Sequence, residues 1–218
     1  TVHGRAVFGA DVSFDNMLYA VVARPPVYGA KVASVDSSDT LKVPGVVEVR
    51  QIAGTRQPGA FEPLGGVAVL AENTWAAIQG RNVLKIEWDI GPAGDNAGYN
   101  TTAYTEALIK RAESPGMVIR SEGDIESALA NADNSVQATY VMPHMAQAPM
   151  EPPVAIARVT DGQAEVWAPV QNPQAARDGV ARHLGLDPGA VTINVTLLGG
   201  GFGRKSKPDF IFEAADLA

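Results

Sequence analysis

A glycine-rich segment, GGGFGRK, occupies residues 199–205 and is the strongest candidate for chemistry in the sequence. Glycine reaches positive φ values and lets the backbone approach a ligand closely. The N–H groups of such a loop can therefore point at a phosphate or an oxo group. Arg204 and Lys205 add positive charge to an otherwise acidic chain. An apolar run at 191–198 precedes the loop and a helix is expected after it, which is the geometry of an anion cradle.

The plainer alternative is a tight turn between a core strand and a helix, and the common nucleotide motifs do not match this loop. A Walker loop that begins at Gly199 requires a second glycine at position 204, ahead of Lys205 and Ser206. A dinucleotide fingerprint that begins at Gly199 also requires glycine there. The chain has Arg204 at this position. A phosphate or nucleotide binder stays an alternative interpretation of the loop.

A second candidate segment, HMAQAPMEPP, occupies residues 144–153 and directly follows an expected strand. Its polar residues His144, Gln147 and Glu151 lie among prolines and apolar side chains. Irregular segments at strand ends are frequent positions for binding sites. The alternative is a proline-rich connection in which Gln147 and Glu151 satisfy nearby backbone groups.

A third segment, WAPVQNP, occupies residues 167–173 at the end of another expected strand. Gln171 or Asn172 is placed to cap the helix expected at 174–184. Pro173 suits the first position of that helix and Gly185 suits its end. For Asn172, helix capping is the favoured role.

The hydrophobic pattern predicts that these segments lie on a mixture of strands and helices, the α+β (mixed α/β) class. Strands are predicted at 18–24, 31–36, 46–52, 67–71, 84–90, 136–142, 154–159, 164–170 and 191–198. Helices are predicted at 101–112, 125–132 and 174–184, and a further one after Asn73 or Thr74. Trp75 and Trp88 are expected on core faces. Glycine and proline predict a loop at 53–66 and a linker at 91–100.

Composition excludes several classes of partner and cofactor. The chain has 218 residues, with 17 basic against 24 acidic side chains and a net charge of −7. No nucleic-acid partner is expected, because phosphate binding needs clustered Lys and Arg. No direct membrane segment is expected, because no apolar run approaches the length of a membrane helix. The chain has no cysteine, which excludes iron–sulfur clusters held by this chain.

Several motifs taken together resemble one enzyme family. In chain order they are MLYAVVARPPVYGAKV, VPGVVEV, GVAVLAENTWAAIQGRNVLKIEWD, APMEPP, WAPVQNPQAA and LLGGGFGRK. The combination resembles the large molybdenum subunit of the xanthine dehydrogenase/aldehyde oxidase family, above all its isoquinoline 1-oxidoreductase β-subunit and bacterial aldehyde dehydrogenase branches. The resemblance implies a hammerhead-like α/β domain at 1–93, a connecting helical segment at 94–134 and the N-terminal part of a molybdopterin-binding α+β domain at 135–218.

The resemblance also implies a function and a set of partners. The family hydroxylates aldehydes or N-heterocycles, with water as the oxygen source. Molybdenum is held by molybdopterin, here expected in the cytosine dinucleotide form, and no side chain is expected to be a metal ligand. Electrons pass to 2Fe-2S clusters on a partner, so an iron–sulfur small subunit and the rest of the large subunit are the expected partners. Related proteins often carry twin-arginine export signals, which favours the periplasm.

The residues that the resemblance assigns to cofactor binding are Gly200, Gly201, Phe202, Gly203, Arg204, Gln147 and Gln171. Phe202 is expected to close the substrate side. Either Gln147, where the related branch usually has histidine, or Gln171 is expected near the apical oxo ligand of the metal. The catalytic glutamate of the family lies far beyond the glycine loop, so no catalytic residue is expected here and the chain alone is expected to be inactive. The alternative outside enzymology is a non-catalytic interaction or assembly module.

Overall fold

The computed structural model describes residues 1–55, 59 and 61–218 and confirms the mixture of helices and sheets. Residues 56–58 and 60, part of the loop predicted at 53–66, lie outside the described residues. The chain divides into two compact units, one of residues 1–97 with 147–218 and one of residues 98–146. The three domains at 1–93, 94–134 and 135–218 stay a prediction. Within the described ranges, no helix is long and apolar enough to cross a membrane.

The larger unit begins with the strands β1 (Tyr19–Ala23), β2 (Lys31–Asp36), β3 (Val46–Ile52), β4 (Gly66–Ala71) and β5 (Lys85–Asp89). Strand β4 pairs with β1 on one side and β3 on the other, both antiparallel, while β2 pairs with β5. All residues of β4 are buried. A strand covered on both faces favours a continuous apolar sequence over an alternating one, as the predicted run at 67–71 has.

Helix α1 (Thr74–Val83) packs on this sheet through its smallest residues. Asn73 caps it, because its Oδ1 accepts a hydrogen bond from the N–H of Ala76 at 2.9 Å. A Cβ on Gly80 would lie 2.9 Å from Cγ1 of Val69, so only glycine allows this close approach. Trp75 is 70% exposed, and its expected core position is wrong. The small residues Ala76, Ala77 and Gly80 are the buried ones, and they face β4 in place of Trp75.

A third sheet, after the two-stranded β2–β5 sheet, contains β6 (Ile156–Thr160), β7 (Gln163–Ala168) and β8 (Val191–Val195). Strands β6 and β7 are antiparallel, whereas β7 and β8 are parallel and are joined through helix α2 (Pro173–Leu184). The N–H of Ala175 donates to Oδ1 of Asn172 at 3.2 Å, which confirms the predicted cap. Gly185, with φ of 67°, ends the helix. Apolar residues of β7, β8 and α2 form one core with helix α3 (Asp209–Leu217).

Helix α3 connects this core to the first sheet within the larger unit. Its aromatic N-terminal half packs into the second core, while Leu217 packs against the apolar cluster of the first sheet. Nη1 of Arg50 donates to the carbonyl oxygen of Leu217 at 2.9 Å. Buried Glu213 forms a bidentate ion pair with Arg24, the residue after β1. Helix α3 is therefore held to the first sheet by both apolar and ionic contacts.

The smaller unit contains helices at Thr101–Ala112 and Ile125–Ala130, capped by Asn100 and Asp124. The strand predicted at 136–142 is wrong. This stretch is exposed, and none of the described residues pairs with its backbone. β-branched and aromatic residues form a strand only when a neighbouring strand and a packed face are available.

The contact between α2 and α3 can be tested at Gly179. A Cβ at this position would overlap the ring of Phe212, which is buried. We expect Gly179→Ala to lower the free energy of unfolding by about 1–3 kcal/mol through overpacking, although alanine in a helix interior ordinarily gains about 1 kcal/mol over glycine. Urea denaturation measures the change.

Gly116→Ala is the matched control, because a Cβ there meets nothing within 4 Å. It should alter the free energy of unfolding by no more than about 0.5 kcal/mol. A Gly179→Ala protein that is more stable than the wild type would contradict the packing described between α2 and α3.

Candidate functional site

The glycine loop, defined here as residues 199–205, follows β8 after a short extended stretch. Its backbone is left-handed at three positions, with φ of 99° at Gly200, 49° at Phe202 and 86° at Gly203. Glycine adopts this region without strain, while phenylalanine does so rarely. The ring of Phe202 is consequently presented outward, and the residue is 74% exposed.

Four N–H groups of the loop are unpaired within the part of the chain that the structure describes, and one of them belongs to the buried Gly201. Among the residues that the structure describes, none accepts a hydrogen bond from the N–H of Gly200, Gly201, Phe202 or Gly203. The helix expected directly after the loop does not begin there. A 3-10 turn at Arg204–Ser206 intervenes, and α3 starts at Asp209. The donors therefore come from the loop itself and not from a helix N-terminus.

The structure places only one of the two candidate glutamines at the loop. The N–H of Gln171 donates to the carbonyl oxygen of Lys205 at 3.0 Å. A Cβ on Gly201 would lie 2.7 Å from Oε1 of Gln171, so the Gln171 side chain lies directly over this glycine. Gln147 is exposed, and no hydrogen bond joins its side chain to the described part of the chain.

Arg204 is engaged within the protein. Its guanidinium makes two hydrogen bonds of 2.8 Å to the carboxylate of Asp209, at the start of α3. Bidentate pairs of this kind fix the geometry of the arginine. The predicted role of Arg204 toward a ligand stays a prediction, and the contact that the structure provides fixes the exit of the loop to α3.

Lys205 and Glu151 form a buried ion pair beneath the loop, which the sequence did not indicate. Lys205 is 0% exposed and its Nζ lies 2.6 Å from Oε2 of Glu151. The same oxygen accepts from the N–H of Gly199 at 3.0 Å, and Oε1 accepts from the N–H of Ala10 at 3.2 Å. Glu151 thus satisfies backbone groups, as one interpretation of its segment expected. Lys205 does not face a ligand, contrary to the expectation that it adds charge to the cradle.

Burial and hydrogen bonding act on the pKa of Glu151 in opposite directions. Burial alone would raise this pKa, because an ionised carboxylate loses its hydration. The hydrogen bonds from Lys205, Gly199 and Ala10 outweigh burial and hold the pKa of Glu151 below the ordinary value of 4.5. Glu151 is therefore ionised at neutral pH and is a counter-ion for Lys205, not a proton donor.

Side chains of the described residues provide no cluster of three or more His, Cys, Asp or Glu that could hold a metal ion. What the site offers is a set of backbone N–H donors, one amide side chain and an exposed aromatic ring. These groups can bind the oxygen atoms of an anion or of a polar cofactor.

Comparison with known proteins finds similarity to cofactor-binding proteins. Residues 110–216 match the model of the molybdopterin cofactor-binding domain. The chain is 29% identical to the isoquinoline 1-oxidoreductase subunit beta of Brevundimonas diminuta, over 99% of this chain and 27% of the relative. It is 30% identical to the membrane-bound aldehyde dehydrogenase (pyrroloquinoline-quinone) of Gluconacetobacter polyoxogenes, over 98% of this chain and 27% of the relative.

The fold agrees with these relatives. The aldehyde oxidoreductase from Desulfovibrio gigas superimposes with a TM-score of 0.66 and 21% identity, over 99% of this chain and 28% of that structure. The chain thus spans about a quarter of the length of the proteins that it matches.

The ionised state of Glu151 predicts a pH dependence of stability. Because its folded pKa is lowered from 4.5, its contribution is fully present above that pH and is lost as the pH falls through the folded pKa. The difference in free energy of unfolding between the wild type and Glu151→Gln is expected to be constant near neutral pH and to shrink as the pH falls below 4.5. Urea denaturation at a series of pH values measures it.

Glu48→Gln is the matched control, because Glu48 forms an exposed ion pair with Arg50. Its effect on stability should be small at every pH, since exposed pairs contribute little. A Glu151→Gln difference that widens as the pH falls would contradict the ionised state of Glu151.

Proposed function

We propose, on the premise that the chain belongs to the xanthine dehydrogenase/aldehyde oxidase family of molybdenum hydroxylases, that it forms part of a large subunit which binds molybdopterin at the glycine loop. The observation that carries this proposal is the loop surface itself. Four consecutive N–H groups, from Gly200 to Gly203, have no acceptor among the described residues, and Gln171 lies over Gly201.

The residues present fit such a cofactor. A Cβ on Gly200 would lie 3.1 Å from Cβ of Pro149, and one on Gly201 would displace the Gln171 side chain. The loop surface therefore consists largely of backbone, with Gly201 buried beneath the Gln171 side chain, and only glycine fits at these two positions. Its donors suit the oxygen atoms of a pterin, a phosphate or a metal-oxo group, and the nearby charge of Arg204 is already balanced by Asp209.

Each group then has a distinct task. The N–H groups of Gly200 to Gly203 bind and orient the cofactor, Phe202 covers the substrate side, and Gln171 offers its amide near the metal. Gln171 is preferred to Gln147 because it contacts the loop. When bound, the cofactor would supply a two-electron acceptor for the hydroxylation of a substrate carbon with water as the oxygen source.

The remaining parts of the reaction are assigned outside this chain. The substrate is an aldehyde or an N-heterocycle, as the names of the two relatives suggest. The base is a glutamate farther along the large subunit, and the electrons leave through 2Fe-2S clusters on a small subunit. The cofactor is the cytosine dinucleotide form. We expect the 218-residue chain alone to be inactive, because a positioned base alone contributes about 10²–10⁴ in rate.

The proposal is tested with the full-length large subunit purified with its partners. We expect molybdenum at about one atom per subunit, and a Gly201→Val variant with less molybdenum or with turnover lowered about 100-fold, because a misplacement near 1 Å can cost that much. The new side chain displaces Gln171 from its contact with Gly201. Elemental analysis and dye reduction with aldehydes or N-heterocycles measure both quantities.

Gly116→Val is the matched control, since a Cβ at Gly116 meets nothing within 4 Å. It should keep full molybdenum content and turnover. A wild-type subunit that lacks molybdenum but is stabilised by a nucleotide would overturn the proposal in favour of a nucleotide site. Normal metal content and activity in Gly201→Val would remove the loop from the cofactor site.

A further inference from the structure

We propose that Glu151 is a positioning residue that fixes the glycine loop at both of its ends and thereby sets the position of Gln171. This inference rests on the proposed function, because it concerns the same site. It assigns a task to two buried charged groups, Glu151 and Lys205, that touch neither the substrate nor the free N–H groups of the loop.

The entry of the loop is held by a reciprocal pair of hydrogen bonds. The N–H of Glu151 donates to the carbonyl oxygen of Gly199, and the N–H of Gly199 donates to Oε2 of Glu151, both at 3.0 Å. A Cβ on Gly199 would lie 2.5 Å from Cβ of Glu151. Residue 199 must therefore be glycine for Glu151 to come this close.

The exit of the loop is held by the same carboxylate. Nζ of Lys205 lies 2.6 Å from Oε2 of Glu151, and Lys205 is 0% exposed. The carbonyl oxygen of Lys205 accepts from the N–H of Gln171 at 3.0 Å. The residue whose ammonium is held by Glu151 therefore also holds the backbone of the glutamine that lies over Gly201.

A third anchor ties the pair to the start of the chain. Oε1 of Glu151 accepts from the N–H of Ala10 at 3.2 Å. The neighbouring Gly9 is packed so closely on Pro169 that a Cβ would lie 2.5 Å from its Cδ. Both carboxylate oxygens are thus occupied, and each binds a segment distant in sequence.

Only a carboxylate can make all of these contacts. A glutamine has a single acceptor oxygen, and its NH₂ group would face another donor at one of the anchors. It would also leave the ammonium of Lys205 buried without a counter-ion, which proteins tolerate poorly. Glu151→Gln is nearly the same size as glutamate, so it probes the charge and the second acceptor without creating a cavity.

Amide hydrogen exchange of the full-length subunit tests the inference directly. In Glu151→Gln we expect the hydrogen-bonded amides of the peptide 199–206, those of Gly199, Arg204 and Ser206, to exchange at least about tenfold faster, because a hydrogen bond to a charged group is lost. Exchange in β4 should remain as in the wild type. Glu48→Gln, which removes an exposed carboxylate paired with Arg50, should change neither region.

A double variant, Glu151→Gln with Lys205→Met, distinguishes an effect on the position of the loop from an effect on the stability of the protein. Removing both charges removes the uncompensated buried ammonium, so the thermal unfolding midpoint should return toward that of the wild type. If Glu151 positions the loop, exchange at residues 199–206 stays fast and the molybdenum content per folded subunit stays low. If Glu151→Gln fails to fold, the same exchange and molybdenum measurements are made on the double variant.

Wild-type loop exchange in the double variant, or wild-type molybdenum content in it, would overturn the inference and reduce the pair to a stabilising contact. A wild-type subunit without molybdenum would instead overturn the proposed function. In that case the exchange measurement still decides whether Glu151 holds the loop.

Discussion

A buried lysine needs a buried counter-ion, and this requirement organises the site. Lys205 has no exposed surface, and Glu151 is the group that neutralises it. Removing one partner of such a pair costs about 3–5 kcal/mol, because the other charge is left uncompensated. The Glu151 carboxylate must therefore stay in place, and it also accepts hydrogen bonds from the N–H groups of Gly199 and Ala10. This contact thus links the two ends of the glycine loop.

A second buried glutamate also joins two segments that are distant in sequence through an ion pair. Glu213 on α3 pairs with Arg24 after β1, and in this way an ionic contact joins α3 to the first sheet. Arg204 pairs with Asp209 at the start of the same helix. The loop thus lies between elements that are themselves tied together, which keeps its free N–H groups at fixed positions. Preorganised donors of this kind bind a ligand without further ordering of the protein.

Local signals in the sequence predicted the local structure well. The apolar runs at 18–24 and 67–71 are strands, and Asn172 caps its helix as its residue type indicated. The predictions that failed concern positions where tertiary contacts, and not the local sequence, determine the structure. The run at 136–142 has no strand partner among the described residues, and Trp75 is exposed because small residues face β4. The Glu151–Lys205 pair could not be predicted, because contacts between residues 54 positions apart leave no periodic signal. The sequence likewise could not show which of Gln147 and Gln171 lies at the glycine loop, because that depends on the fold.

The most direct test is a crystal structure of the full-length subunit with its cofactor, with anomalous diffraction recorded at the molybdenum absorption edge. We expect the molybdenum peak beside the backbone of Gly200 to Gly203 and next to the Gln171 side chain, with Glu151 still bonded to Lys205 and Gly199. A molybdenum peak away from the glycine loop would contradict this expectation. So would a metal approached by Gln147, with Gln171 turned away from Gly201.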